Sequence, residues 1–176
     1  MKSNSSMLKQ IGNIVQDSLT EFVNDVFDSS WKGREREAVS LYAFGFLQRQ
    51  IRRGGILRDP TQIGIEVTVP SDKRLNSKGR VCKDLVLWRE PNMTCWDANG
   101  KEVNFPLMIM EWKVFRLPSS RPQISDRDVD WLRKYSAFSP SVFVGYTVSL
   151  DLLHREFRIS VTRIESGTVN HRWLEL

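Results

Sequence analysis

Pro106 to Arg116 reads PLMIMEWKVFR. Leu107, Met108, Ile109, Met110, Trp112, Val114 and Phe115 are apolar, as in a strand buried on both faces. Glu111 and Lys113 interrupt that run. Side chains alternate along a strand, so these two charges share a face. Opposite charges in an apolar strand are costly unless each has a partner. The partners have to come from elsewhere in the chain.

Upstream, Val81 to Arg89 (VCKDLVLWR) predicts a second strand with Asp84 in its middle. Between the two, Thr94 to Val103 contains Asp97-Ala98-Asn99-Gly100, a turn signal that predicts a small hairpin or elaborated turn. Thr61 to Val69 alternates, which places Ile63, Ile65, Val67 and Val69 on one face of a half-buried strand. Pro70 to Arg80 is a polar loop whose Lys73, Arg74, Lys78 and Arg80 could meet phosphates or stay in solvent.

Nearer the N-terminus, apolar residues three or four apart predict a helix over about Ser6 to Asp28: Leu8, Ile11, Val15, Leu19, Phe22 and Val26. Its apolar stripe packs on its own domain or on a second copy of the chain. A second helix is expected from about Arg34 to Arg53, with Ala38, Leu41, Tyr42, Gly45, Phe46 and Ile51 inward and Gly54-Gly55 ending it. Glu35 and Glu37 stand in its first turn.

Downstream, Ser125-x-x-Asp128 is a capping-box pattern opening a helix to about Phe138, with Val129, Trp131, Leu132 and Tyr135 facing the sheet. Asp126 and Asp128 match the dipole at its start. Strands follow at Ser141 to Leu150 and Glu156 to Ile164, with a short one over Thr168 to Leu174. His154 and His171 read as surface residues, and Trp88, Trp112 and Trp131 as core.

Composition sets bounds on this reading. With 176 residues, 40% hydrophobic and 27% charged, one globular domain is expected, here 34–176, preceded by a helical extension over 1–33. Six tryptophans and nine phenylalanines can fill a core. Net charge of +5 leans towards an anionic partner, nucleic acid before membrane. No apolar run is long enough to cross a membrane. Lys9, Gln10, Asn13, Gln16 and Asp17 break up any signal-peptide core, so a cytoplasmic protein is expected. Cys82 and Cys95 form no zinc pattern, and Cys82 reads as a buried thiol.

Asp84 in KDLVLW and Glu111 with Lys113 in MIMEWKV resemble the motif of the PD-(D/E)xK nuclease superfamily. The helix GREREAVSLYAFGFL resembles the family helix that often adds an acid, here Glu35 in preference to Glu37. The later SDRDVDWLRKYSAF and SVFVGYTV fit the family layout, so the resemblance spans roughly residues 34 to 150. Glu111-Trp112-Lys113 is the chain's only Asp/Glu-x-Lys. Two departures stand out: Lys83 replaces the family's usual proline, and the segment from Asp84 to Glu111 is long.

The resemblance implies a restriction-endonuclease-like α/β fold in three layers, a mixed central sheet of four to six strands between helices. It also implies hydrolysis of DNA phosphodiester bonds. Mg²⁺, or Mn²⁺ in its place, would sit on Asp84, Glu111 and Glu35, with Lys113 completing the catalytic set. Such a cation prefers oxygen ligands and would offset the buried carboxylates. Lys113 on the same face would hold the attacking water and stabilise developing charge. Cutting two strands is simplest with two sites, so a homodimer is a further expectation.

Two alternatives remain open at this point. Asp84 could pair with Lys113, and Glu111 with an arginine, as a buried ion network. Or the fold could serve as a nucleic-acid-binding or assembly module without turnover.

Overall fold

The computed structural model describes residues 4–71, 79–116, 126–153 and 158–176. The expectations placed on Lys73, Arg74 and Lys78, on Ser125 of the capping box and on His154 lie outside those residues. Three helices and six strands follow in order: α1 (Asn4–Asp28), α2 (Glu35–Gly45), β1 (Ile63–Pro70), β2 (Arg80–Leu87), β3 (Met108–Phe115), α3 (Asp126–Phe138), β4 (Val144–Asp151), β5 (Ile159–Glu165) and β6 (Thr168–Glu175). The strands form one mixed sheet in sequence order. β1, β2 and β3 make an antiparallel meander, β3 and β4 run parallel, and β5 and β6 return antiparallel. The α/β class and the mixed sheet are therefore as expected.

The helices cover both faces. Leu8, Ile11, Val15, Leu19, Phe22 and Val26 of α1 are all buried, in one cluster with α2, Met108, Met110 and Trp112. The apolar stripe of α1 is thus used within the chain rather than against a second copy. Trp112 is fully buried and packs against Phe22 and Tyr42, with ring centroids 5.5 Å and 5.2 Å away. On the opposite face, Leu132 and Tyr135 of α3 pack with Val86, Ile109 and Ile164. Gly145 permits this close approach, since a Cβ there would stand 3.2 Å from the Leu132 side chain.

Four local expectations are corrected. The second helix does not reach Arg53: it stops at Gly45 and tightens into a 3₁₀ turn over Leu47–Gln50. Phe46 and Leu47 are neighbours in sequence and both are buried, and the change of winding carries the pair into the core beneath α1. Leu41, expected inward, is 37% exposed. Cys82 is exposed rather than buried.

The fourth correction concerns β1 and β2. Ile63 and Ile65 face α1 and α2, but Val67 and Val69 belong to the α3 face. The exchange occurs at Glu66, whose φ of 52° lies in the left-handed region. That conformation costs a non-glycine residue about 1–2 kcal/mol. β2 switches opposite it. Leu85 and Leu87 face α1 and α2, whereas Val81, four and six residues earlier in the alternation, packs on the α3 side. The strands pair through Ile65 and Leu85 and again through Val67 and Lys83, so Glu66 and Asp84 both sit at the switch.

Candidate active site

The switch determines where the charged residues go. Regular alternation would turn Lys83 with Leu85 towards α2. Lys83 instead points to the α3 face, its Nζ 3.6 Å from the centroid of the Trp131 ring. There it forms an ion pair with Glu111. Both residues are buried, at 4% and 7% exposed. Trp131, expected in the core, is only partly buried and stacks on Tyr135, so Lys83 lies over an aromatic platform.

Asp84 goes to a different place. β2 and β3 pair only from Leu85↔Met110 to Leu87↔Met108, while β3 continues beside β4 as far as Phe115↔Asp151. β2 and β3 therefore part beyond Leu85, leaving backbone groups of β3 to be satisfied. The Asp84 carboxylate fills the gap and accepts a hydrogen bond of 2.7 Å from the Trp112 amide. Asp84 also lines a cleft of about 280 Å³ with Arg34, Glu35, Arg36, Val39, Ile65 and Glu66. The exposed Arg36 is tied to Glu66 at 2.5 Å.

Lys113 joins the layers. Its Nζ donates to the Trp112 carbonyl at 2.8 Å and to Glu35 Oε1 at 3.4 Å. Asp128 of α3 lies 3.9 Å away on the other side. Burial disfavours this ammonium, but Glu35, Asp128 and Asp84 outweigh burial and raise its pKa. Glu35, in the first turn of α2, is itself raised, chiefly by burial, with Asp84 adding to that and Lys113 opposing it. Glu37 caps its own helix by accepting from the Arg34 amide at 2.6 Å, which leaves Glu35 as the acid facing the site.

Glu111 is the most perturbed acid of the group. Burial pushes its carboxyl up to about 7 against the pull of Lys83, and the negative charges of Asp84 and Asp128 add to the shift. Glu35, Asp84, Glu111 and Asp128 thus share one field, with two lysines to balance four acids. The ion-pair alternative is corrected in its partners: Glu111 pairs with Lys83, not an arginine, and Lys113 pairs with Glu35.

Lys83, Asp128 and the polar row beside Glu111 were given no role in the site from sequence. Thr147 stands across from Glu111 on β4, and Thr162 across from Thr147 on β5. Both are buried, and neither hydroxyl has a hydrogen-bond partner among the described residues. The departure from the family pattern at Lys83 was the available signal for the first of these residues. His171 is exposed on β6, as expected.

The donor set suits a hard cation in kind, being carboxylates with the unpartnered Thr147 hydroxyl close by. It does not form a closed set, because among the described residues no three acidic, thiol or imidazole side chains are placed to hold one ion. Lys83 already satisfies Glu111, and Asp84 and Glu35 open onto the cleft on the α2 side. No helix among the described residues is long and apolar enough to cross a membrane.

Comparison with family models, with curated proteins and with solved structures found no match to this chain.

Proposed function

We propose that this chain is a metal-dependent phosphodiester hydrolase acting on DNA, built on a restriction-endonuclease-like fold. Two things support the fold: the element order helix, three-strand meander, helix, parallel strand, and the position of the Asp and Glu-x-Lys residues on the second and third strands. One observation carries the activity. Lys113 reaches Glu35 at 3.4 Å at the point where β2 and β3 part, with Asp84 in the same gap. Ligand sites of open α/β sheets lie beyond the carboxyl ends of parallel strands, and Lys113 is near that end of β3.

Asp84 and Glu35 would hold Mg²⁺ or Mn²⁺ from the cleft, while Glu111 is held by Lys83 on the α3 side. The bound ion supplies the charge that polarises a phosphodiester and acidifies a coordinated water. The remaining roles fall to the chain. Lys113, kept charged by three carboxylates, donates to a non-bridging phosphate oxygen and stabilises the charge that develops there. Asp84, locked by the Trp112 amide, keeps its orientation while the substrate enters. Arg34 at the mouth of the cleft, with an overall charge of +5, attracts the phosphate backbone.

The test is cleavage of supercoiled plasmid and of single-stranded DNA with Mg²⁺, with Mn²⁺ and with EDTA, beside Lys113→Ala. Metal-dependent nicking that the substitution abolishes supports the proposal. No cleavage with either metal, together with no cation uptake by calorimetry, rejects it.

A second reading has its own observation. The buried Lys83–Glu111 pair neutralises Glu111 without any metal. That favours a nucleic-acid-binding or assembly module without turnover. DNA binding that is unchanged in EDTA, with no cleavage under any condition, would select it.

A further inference from the structure

α2 carries its acids only in its first turn, as Glu35 and Glu37. From Ala38 to Arg58 the chain then has four arginines and no acid. Arg49, Arg52, Arg53 and Arg58 are all exposed. Of these, only Arg58 is ion-paired among the described residues, with Glu90. Arg49 lies over the Phe46 ring, and Arg52 donates to the Arg49 and Ile51 carbonyls. Both guanidinium groups are thus held at the 3₁₀ turn that follows the helix.

Phe44 stands next to this basic turn. At 60% exposed, it is the most exposed large apolar side chain among the described residues. A lone exposed ring means little by itself, so its surroundings decide. Arg36, Ser40 and Phe44 are four apart and form one ridge along the outer side of α2. Arg36 lines the cleft that holds Asp84 and Glu35. The ridge therefore runs from the cleft to the exposed ring over about 12 Å, and Arg49 follows within about 10 Å more.

A row of cations with an aromatic face set into it suits one chemistry. Guanidinium groups take the phosphates of a nucleic-acid strand, and an open ring takes the face of an unpaired base. Bases in a duplex are stacked on one another and do not reach such a ring. A partner lying across the helix would need apolar anchors over several turns. Leu41 and Phe44 are the only large apolar side chains that α2 exposes among the described residues.

We propose that the outer side of α2 and its 3₁₀ turn bind single-stranded DNA, with a base on Phe44 and phosphates on Arg49 and Arg53, and lead the strand into the cleft. The proposal rests on the nucleic-acid reading of the cleft and adds the form of its substrate. It involves no metal, so it applies with or without turnover.

The experiment follows fluorescence anisotropy of a labelled single strand, and of the same sequence as a duplex, with the full chain in EDTA over a range of salt. The variants are Phe44→Ala, Phe44→Tyr and the double substitution Arg49→Gln with Arg53→Gln. The single strand should bind more tightly than the duplex. Phe44→Ala should weaken single-strand binding about tenfold, and Phe44→Tyr should restore it. The double substitution should reduce the slope of log affinity against log salt by about 1.4, from two lost phosphate contacts. If the double variant fails to fold, the two Phe44 variants decide alone.

Single-strand binding that no substitution alters overturns this surface and leaves the DNA reading of the cleft standing. No binding of either DNA form overturns both. Equal affinity for duplex and single strand overturns the stacked base. Light scattering supplies the last outcome: a dimer that Phe44→Ala splits into monomers assigns the ring to a second copy of the chain and overturns the proposal.

Discussion

The Asp84 carboxylate accepts a 2.7 Å hydrogen bond from the Trp112 amide across the gap where β2 leaves β3. A side chain there takes the place of a strand partner. Hydrogen bonds to charged acceptors contribute about 1.5–3 kcal/mol, and an abandoned donor adds its own cost. Asp84→Ala should therefore lower stability by about 2 kcal/mol, read as a drop in the urea midpoint. Asp84→Asn keeps an acceptor and should stay within about 1 kcal/mol of the unsubstituted protein while losing cation uptake. Equal destabilisation by the two substitutions would show that the carbonyl of Asn cannot serve, and would assign the bond to charge.

Lys113 is half-buried and its ammonium is met by Glu35 and the Trp112 carbonyl, so Lys113→Ala should fold normally by circular dichroism. Its loss should reduce DNA cleavage by about 100-fold or more, the range seen when a donor to developing charge is removed. Retained cleavage would take Lys113 out of the proposed mechanism.

Glu111 links stability to pH in a direction that can be worked out. Its carboxyl sits at about 7 in the folded protein, against an ordinary value of 4.5. Between those values the folded state binds a proton that the unfolded chain has released. Stability from this group is full below 4.5, declines as pH rises through the window and levels off above about 7. Glu111→Gln should flatten that decline. Unfolding midpoints for both proteins across the window, taken as a difference, isolate the effect, and a difference that grows in the opposite direction would contradict it.

Glu66 holds a φ of 52° at the face switch and is exposed, with Arg36 as its ion-pair partner. Glycine adopts that conformation without penalty, and exposed ion pairs contribute little. Glu66→Gly should be neutral or stabilising by up to about 1 kcal/mol, whereas Glu66→Val should destabilise by more than that. Thermal unfolding of the two variants separates them. A loss in Glu66→Gly as large as in Glu66→Val would mean that the side chain, not the backbone, sustains the switch.

Sequence by itself was enough for the elements and their order. The apolar spacing of α1 gave a stripe that is buried residue for residue, and the run around Glu111 is the central strand. Such patterns are local, set by periods of 3.6 and 2, and any chain segment displays them without its neighbours. The turn at Asp97 to Gly100 was legible for the same reason: its amide-to-carbonyl bond of 3.0 Å closes within four residues.

Tertiary structure alone decided which face each charge would occupy. Strict alternation assigned Val67 to the side of Ile65 and would have sent Lys83 towards α2, and both assignments fail at a single left-handed residue. Glutamate adopts that conformation rarely, so nothing in the letters around Glu66 announces it. Asp128 likewise read as a helix-start acid, and only the packing of α3 over the sheet brings it within 3.9 Å of Lys113. The pairing of Glu111 with Lys83 depends on two strands and the helix that covers them. Interactions between residues far apart in the chain are set by where the backbone twists, and that twist is fixed by the packed sheet rather than by any one segment.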